Sequence, residues 1–186
     1  MGLIDLVQEL ESTDAPTRFK AATALYRMGP QAVPAIPRLV GLLRDFDGVN
    51  VPDSEGGERL VTIAERCALA LAAIGEAAAT AVIDELKQDN PVSAIHCVRA
   101  LASPALAKRV PVAVVSERLM RPKVSPTMAA ALCEVLYAVC QAPDEAQRNA
   151  AKSAFKAAYA AGRVTQKFHK LFVPGGATHS PEAPAV

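Results

Sequence analysis

Apolar residues recur at helical spacing along most of this chain, and the alternation typical of strands is nearly absent. In residues 3–11, for example, Leu3, Leu6, Val7 and Leu10 fall on one helical face. The same periodicity predicts further helices, with boundaries near residues 15–28, 34–43, 58–74, 77–88, 91–102, 108–120, 126–141 and 143–161. We therefore expect an all-α protein, in which Asp14 is the N-cap of the second helix.

The helical pattern is interrupted by a glycine and a group of prolines. A proline in a helix interior costs about 3 kcal/mol. Gly29 suits the end of one helix, and Pro30 prevents that helix from continuing. Pro34 fits the first turn of the next helix, and Pro37 fits only if that helix begins at about Pro34 or later. The interruption therefore predicts a sharp corner between two helices.

The corner recurs along the sequence. With an offset of 46 positions, Ala24–Leu25 falls on Ala70–Leu71 and Met28–Gly29 falls on Ile74–Gly75. A third pair aligns more weakly at an offset of 30, where Cys97 falls on Cys67. The second corner contains no proline, so we expect the glycine and the small residues to be its essential part.

These residues resemble the HEAT repeat family, in particular the short bacterial HEAT-like repeats. The resemblance rests on A-A-x-A-L-x-x-M/I-G-P/E-x-A, followed by a turn and an apolar helix, and it is clearest over residues 14–90. It implies a right-handed α-solenoid of about four antiparallel helix pairs, in which the second helices line a concave binding surface. We expect one domain over residues 1–172 and a flexible tail over 173–186, with the repeats at about 14–45, 58–89, 91–121 and 125–161.

Members of this family are mostly scaffolds and adaptors, and some are enzymes. The metal-dependent hydroxylase branch needs His-Glu pairs, and this sequence has no His-Glu dipeptide. The DNA glycosylase branch needs a basic face and aromatic side chains, but the chain has no Trp and a net charge of +1. The bilin lyase branch has no short motif to test, so a lyase-like protein acting on a cofactor-bearing partner stays open.

Composition narrows the possible kinds of protein and of functional site further. The chain is 51% hydrophobic but only 4% aromatic, which suits closely packed helices with a thin core. Its four cysteines form no CxxC pair, so we expect them to be core residues, with no metal and no cofactor. No apolar run approaches the roughly 20 residues of a membrane span, and no signal peptide is evident. We expect a cytoplasmic protein; the sequence does not indicate its oligomeric state.

Residues 45–57, DFDGVNVPDSEGG, are predicted to be a polar loop between repeats. Their acidic residues resemble a calcium loop, but an EF-hand needs an oxygen ligand at position 5 and glycine at position 6. Val49 and Asn50 occupy these positions here. The register therefore argues against calcium and favours a solvated insertion at the edge of the binding surface.

Charged residues that the helical pattern leaves outside the core are the candidates for partner binding. On the second helices, where Glu85 and Glu117 also count as non-core, the candidates are Arg38, Arg44, Asp84, Lys87, Arg118 and Arg121. Their mixed signs suit a protein better than a polyanion. A basic stripe on the last helix and beyond adds Arg148, Lys152 and Lys156, followed by Arg163, Lys167 and Lys170.

The sequence thus predicts a non-enzymatic adaptor, or a small structural subunit of a larger assembly, that binds a protein through its second helices. The basic stripe leaves open a nucleic-acid-binding solenoid, although the balanced charge of the whole chain argues against it. A terminal repeat also needs a polar outer face, and this is the explanation of the stripe that we favour.

Overall fold

The computed structural model describes residues 2–54, 56–88 and 90–164, which are mostly helical with one small two-stranded sheet. Lys167 and Lys170 of the predicted basic stripe and the predicted tail lie outside the described residues. The helices are α1 (Leu3–Glu9), α2 (Ala15–Met28), α3 (Ile36–Gly41), α4 (Ile63–Ile74), α5 (Ala79–Lys87), α6 (Pro91–Leu101), α7 (Pro104–Ala107), α8 (Val112–Met120), α9 (Pro126–Cys140) and α10 (Glu145–Ala160). The strands are β1 (Gly48–Pro52) and β2 (Glu58–Thr62).

Side-chain caps start most of the longer helices. The Asp14 carboxylate accepts a hydrogen bond from the Thr17 backbone N–H at 2.9 Å, so the predicted N-cap of α2 is confirmed. That bond and one from the Thr17 hydroxyl lower the pKa of Asp14. At the start of α4 the Thr62 hydroxyl accepts from the Glu65 N–H at 3.1 Å, and the Asp144 carboxylate caps α10 in the same manner.

Two glycines end α2 and α4 in equivalent conformations. Gly29 has φ 55° and ψ −129°, and Gly75 has φ 84° and ψ −147°, which L-residues with a side chain rarely adopt. A 3₁₀ segment over Gly29–Ala35 then turns the chain, and α3 begins at Ile36. Pro37 therefore lies in the first turn of α3, as the sequence requires.

The segment predicted to be a polar loop followed by a helix start is instead a β-hairpin. Strand β1 pairs antiparallel with β2, and Val49 lies opposite Val61. Val61 is fully buried in the core, and Val49 and Val51 of β1 pack against the same core while partly exposed. The predictions of a loop over 45–57 and of a helix from residue 58 are therefore wrong here, because two short β-branched runs outweighed a weak helical period.

The first helices of the successive pairs pack side by side: α2 lies against α4, α4 against α6, and α6 against α9. Of the predicted second helices, α3 contacts α5 and α8 contacts α10. Small and aliphatic side chains fill the core between these rows, together with Phe155.

The helix predicted near residues 108–120 is shorter in the structure. Pro104 starts a separate short helix, α7, and Pro111 is the N-cap of α8.

Among the described residues, no single helix combines the length and the apolar character that a membrane span requires. The α4–α5 region passes that test only as a pair, Ile63–Ile74 with Glu76–Lys87, and the pair is bent by 119° at its break.

Candidate functional site

The charged residues predicted on the second helices pair largely with one another. The Arg44 guanidinium donates to the Glu85 carboxylate at 2.9 Å and to the Gln88 side chain at 3.2 Å. Glu85 also accepts from the Ser93 hydroxyl at 2.6 Å, and it is only 5% exposed. The prediction that Glu85 lies outside the core is therefore wrong. From α5, its carboxylate contacts Arg44 just after α3 and Ser93 on α6.

Arg118 is a second correction. The helical pattern left it outside the core, but it is 9% exposed and donates to the Leu86 carbonyl at 3.1 Å. That carbonyl lies in the last turn of α5, where the helix leaves its carbonyls without intrahelical partners. Arg118 thus holds α8 against the end of α5.

The remaining second-helix candidates each form an ion pair. The exposed Arg38 pairs with Glu11. Asp84 pairs with Lys87 at 3.1 Å, one turn away on α5, and the half-buried Arg121 pairs with Glu117 at 3.6 Å.

The structure brings two groups of these candidates together. Arg44 contacts Glu85, and Lys87, Arg118 and Arg121 line a small cavity of about 210 Å³ together with Glu117. Because Asp84 and Glu117 pair with two of these cations, the second group is not an unneutralised patch.

Within the described residues, one cation of the predicted basic stripe is engaged with the backbone. The Arg148 guanidinium donates to the carbonyls of Ala142 and Pro143, at 2.9 and 2.6 Å, and so closes the turn between α9 and α10. Lys152 and Lys156 are exposed on the same helix. Two free lysines on one helix are the ordinary solvated face of an end helix.

The acidic residues before the hairpin are neutralised by an arginine. Arg18 of α2 donates to Asp45 at 2.8 Å and to Asp47 at 2.7 Å, and also to the Ser12 carbonyl at 2.8 Å. The hydrogen bond to Asp45 is the main cause that raises the pKa of this guanidinium. A cation already occupies the place where a calcium loop would direct its carboxylates. Within residues 2–54, 56–88 and 90–164, no cluster of three or more His, Cys, Asp or Glu side chains suits a metal ion.

The outer faces of α4 and α6 form an open groove of about 350 Å³, which we call the α4–α6 groove. Its floor is small and apolar, because Ala68, Leu69 and Ala72 of α4 line it. Leu69 is 42% exposed, which is high for a large apolar side chain. Two arginines from different elements complete the lining, Arg59 of β2 and Arg99 of α6, together with Glu65.

The two arginines differ in their pairing. Arg59 forms an ion pair with Glu65 at 3.1 Å. Arg99 has neither an ion pair nor a hydrogen bond from its side chain among the described residues. It is exposed beside the apolar floor, so its charge is available to a ligand.

His96 lies one turn before Arg99 on α6. It is 5% exposed, and its Nδ1 has no hydrogen-bond partner in the described part of the chain. The ring of Phe46, which is 58% exposed, lies 6.3 Å from the His96 ring between centroids. Burial lowers the pKa of His96, the charge of Arg99 lowers it further, and Glu65 opposes them.

The sequence did not single out these groove residues. In the repeat alignment Thr23, Leu69 and Arg99 share one position, and Lys20, Arg66 and His96 share another. Arg66 lies over the Phe19 ring at 4.9 Å, and its Nε is also buried without a partner among the described residues. A large apolar residue at a position that elsewhere holds Thr or Arg was the available signal for Leu69.

The cysteines are core residues, as the sequence predicts. Cys67, Cys97 and Cys133 are buried, and Cys140 is half-buried. Burial raises the pKa of Cys97 and of Cys133 to about 12, and it also raises the pKa of Cys67. Their thiolates are disfavoured, so these side chains are poorly suited to nucleophilic chemistry.

No family model and no curated protein matches this chain. Similar solved structures exist, among them two crystal structures of engineered proteins from the Northeast Structural Genomics Consortium. One is 20% identical with a TM-score of 0.50 and covers 92% of this chain, which spans 46% of that longer protein. Another is 21% identical with a TM-score of 0.49, covering 92% of this chain and 77% of the other. At this identity the likeness concerns the fold alone.

Proposed function

We propose that the chain is a non-enzymatic protein-binding module, built as a right-handed solenoid of about four HEAT-like antiparallel helix pairs. It would serve as an adaptor or as a small structural subunit of a larger assembly. Support for the architecture comes from the sequence repeat, from the matching conformations of Gly29 and Gly75, and from the side-by-side packing of α2, α4, α6 and α9.

The observation that carries the functional proposal is the α4–α6 groove. Leu69 is a large apolar side chain exposed in this groove, and Arg99 adds a charge that no described residue neutralises. Exposed apolar and arginine side chains in one concave place are typical of protein-binding surfaces. We therefore assign the partner surface to the first helices, since the charges on the second helices are matched internally.

Affinity purification from the native host tests the function. The full chain, carrying a tag, is crosslinked mildly in cells and recovered with and without nuclease digestion, and an unrelated tagged protein gives the background. We expect one or a few proteins above background, retained after nuclease. Recovery of nothing above background would contradict protein binding, and loss of every partner after nuclease would favour the nucleic-acid alternative instead.

A further inference from the structure

We propose that the α4–α6 groove binds a linear segment of a partner protein in which an Asp or Glu side chain stands close to a large apolar side chain. This proposal rests on the protein-binding function and adds the chemistry of the segment. The apolar side chain contacts the floor of the groove, and the carboxylate pairs with Arg99.

The floor selects an apolar side chain. Ala68 and Ala72 lie one turn apart on α4, so the floor runs about 6 Å along the helix. Their methyl groups leave space above them, and Leu69 stands beside this space, partly exposed. A leucine or phenylalanine placed there removes its own surface and that of Leu69 from water, which is the main source of affinity in such contacts.

The rim selects an acid. Arg59, Glu65 and Arg99 together carry a net charge of +1, and the ion pair between Arg59 and Glu65 leaves the charge on Arg99. A guanidinium offers a planar pair of donors that fits a carboxylate. Because Arg99 is exposed and its side chain pairs with no other described residue, a carboxylate reaches it without breaking an ion pair or hydrogen bond in that part of the chain.

Charge and shape together favour a peptide segment. A polyanion would need a run of unpaired cations, whereas Glu65 lies in the same groove and Arg59 is neutralised by it. The volume of about 350 Å³ lies near the lower end of small-molecule sites, and this groove is open to solvent along the helices. An open groove with one apolar floor and one charge suits two neighbouring side chains of an extended chain.

Selection from a display library of random linear peptides tests this chemistry. The full-length wild-type chain is immobilised, and enriched peptides are synthesised with a fluorescein label and an amidated C-terminus. Amidation removes the terminal carboxylate, so binding that persists comes from a side chain. We expect the enriched peptides to share an Asp or Glu within a few positions of Leu, Ile, Phe or Met. Enrichment of basic peptides, or of none, would overturn the proposal.

Fluorescence anisotropy on variants then locates the binding. We expect Arg99→Glu and Leu69→Glu each to raise Kd at least about tenfold. Both side chains are exposed, and circular dichroism checks that the variants fold. Matched controls are Lys108→Glu and Ile4→Glu, which make the same changes at exposed positions away from the groove; we expect Kd within about twofold of wild type.

A charge exchange separates direct pairing from a general effect of charge. A peptide whose acid is replaced by Lys should bind Arg99→Glu better than it binds the wild type. Equal affinity for both proteins would overturn the pairing with Arg99. If binding peptides map to another surface, this inference fails while protein binding stands; if neither peptides nor crosslinked proteins are recovered, both fail.

Discussion

Arg18 and Asp45 form an ion pair at 2.8 Å across 27 residues of sequence, joining α2 to the segment that precedes the hairpin. The same short segment also supports α4, because the Asp47 and Asp45 carbonyls accept from the N–H groups of Ile63 and Ala64 at 2.8 and 3.0 Å. One buried guanidinium thus fixes the place where two neighbouring first helices begin.

Removing this guanidinium should destabilise the protein strongly. Arg18→Met leaves Asp45, which is mostly buried, without its cation, and we expect a loss of about 3 kcal/mol in the free energy of unfolding. Urea titration followed by circular dichroism measures it. Arg38→Met is the matched control, because it breaks the exposed pair with Glu11 and should cost less than about 1 kcal/mol. Equal losses in the two variants would contradict the role assigned to Arg18.

The second prediction concerns Gly29 and Gly75, the glycines that end α2 and α4. Gly29→Ala and Gly75→Ala should each cost about 2 kcal/mol, because alanine is strained at positive φ with these ψ values. Space is not the cause, since a Cβ at Gly29 would lie 3.5 Å from the nearest atom, the Ala73 carbonyl oxygen.

Gly41 supplies the control for the corner glycines in the same urea experiment. Its φ is −58°, in the helical region, and a Cβ there meets nothing within 4 Å. We expect Gly41→Ala to leave stability unchanged or to raise it by up to about 1 kcal/mol. A large loss at Gly41, or none at Gly29 and Gly75, would show that the corner conformation is not what these glycines provide.

Sequence patterns that span a few residues predict the helices but do not predict the hairpin. The Asp14 cap, the end of α2 at Gly29 and the bounds of α9 follow from periodicity and capping residues a few positions apart. The strands are five residues each and bury only Val61 completely, so they leave little alternation in the sequence. Their pairing depends on contacts that a residue-by-residue pattern does not contain.

The sequence predicts even less of the candidate site than of the fold, because the site depends on how each helix is rotated and packed. A rotation of one residue on a short helix decides whether Arg118 faces solvent or the end of α5, and periodicity does not fix that rotation. The α4–α6 groove combines Leu69 with Arg99, which lies 30 positions away, and with Arg59 of an unpredicted strand. Each residue alone is unremarkable, and only the packing of α4 on α6 brings them together.

The cysteines should differ in reactivity. Ellman's reagent at about pH 8 should label Cys140 first, because it is half-buried while the other three are buried. Burial raises the pKa of all four thiols, but at Cys140 the charge of Lys152 opposes it. We expect the remaining thiols to react only when urea unfolds the chain. The control is Cys140→Ser, which should lack the fast phase; a fast phase that persists in it would show that a core cysteine is accessible.

His96 should make stability depend on pH. Its folded-state pKa lies below the unfolded value of about 6.5, so the unfolded chain binds more protons between the two values. The contribution is fully present above the unfolded pKa and is lost as pH falls towards the folded one. We expect the urea midpoint to fall between about pH 7.5 and about pH 5.5, and to fall less in His96→Gln, which does not titrate there. Groups that do not interact with His96 contribute equally to both proteins, so the difference between the two midpoints reports on the imidazole. The same fall in both would mean that His96 remains readily protonated in the folded protein, despite its burial beneath Phe46 and beside Arg99.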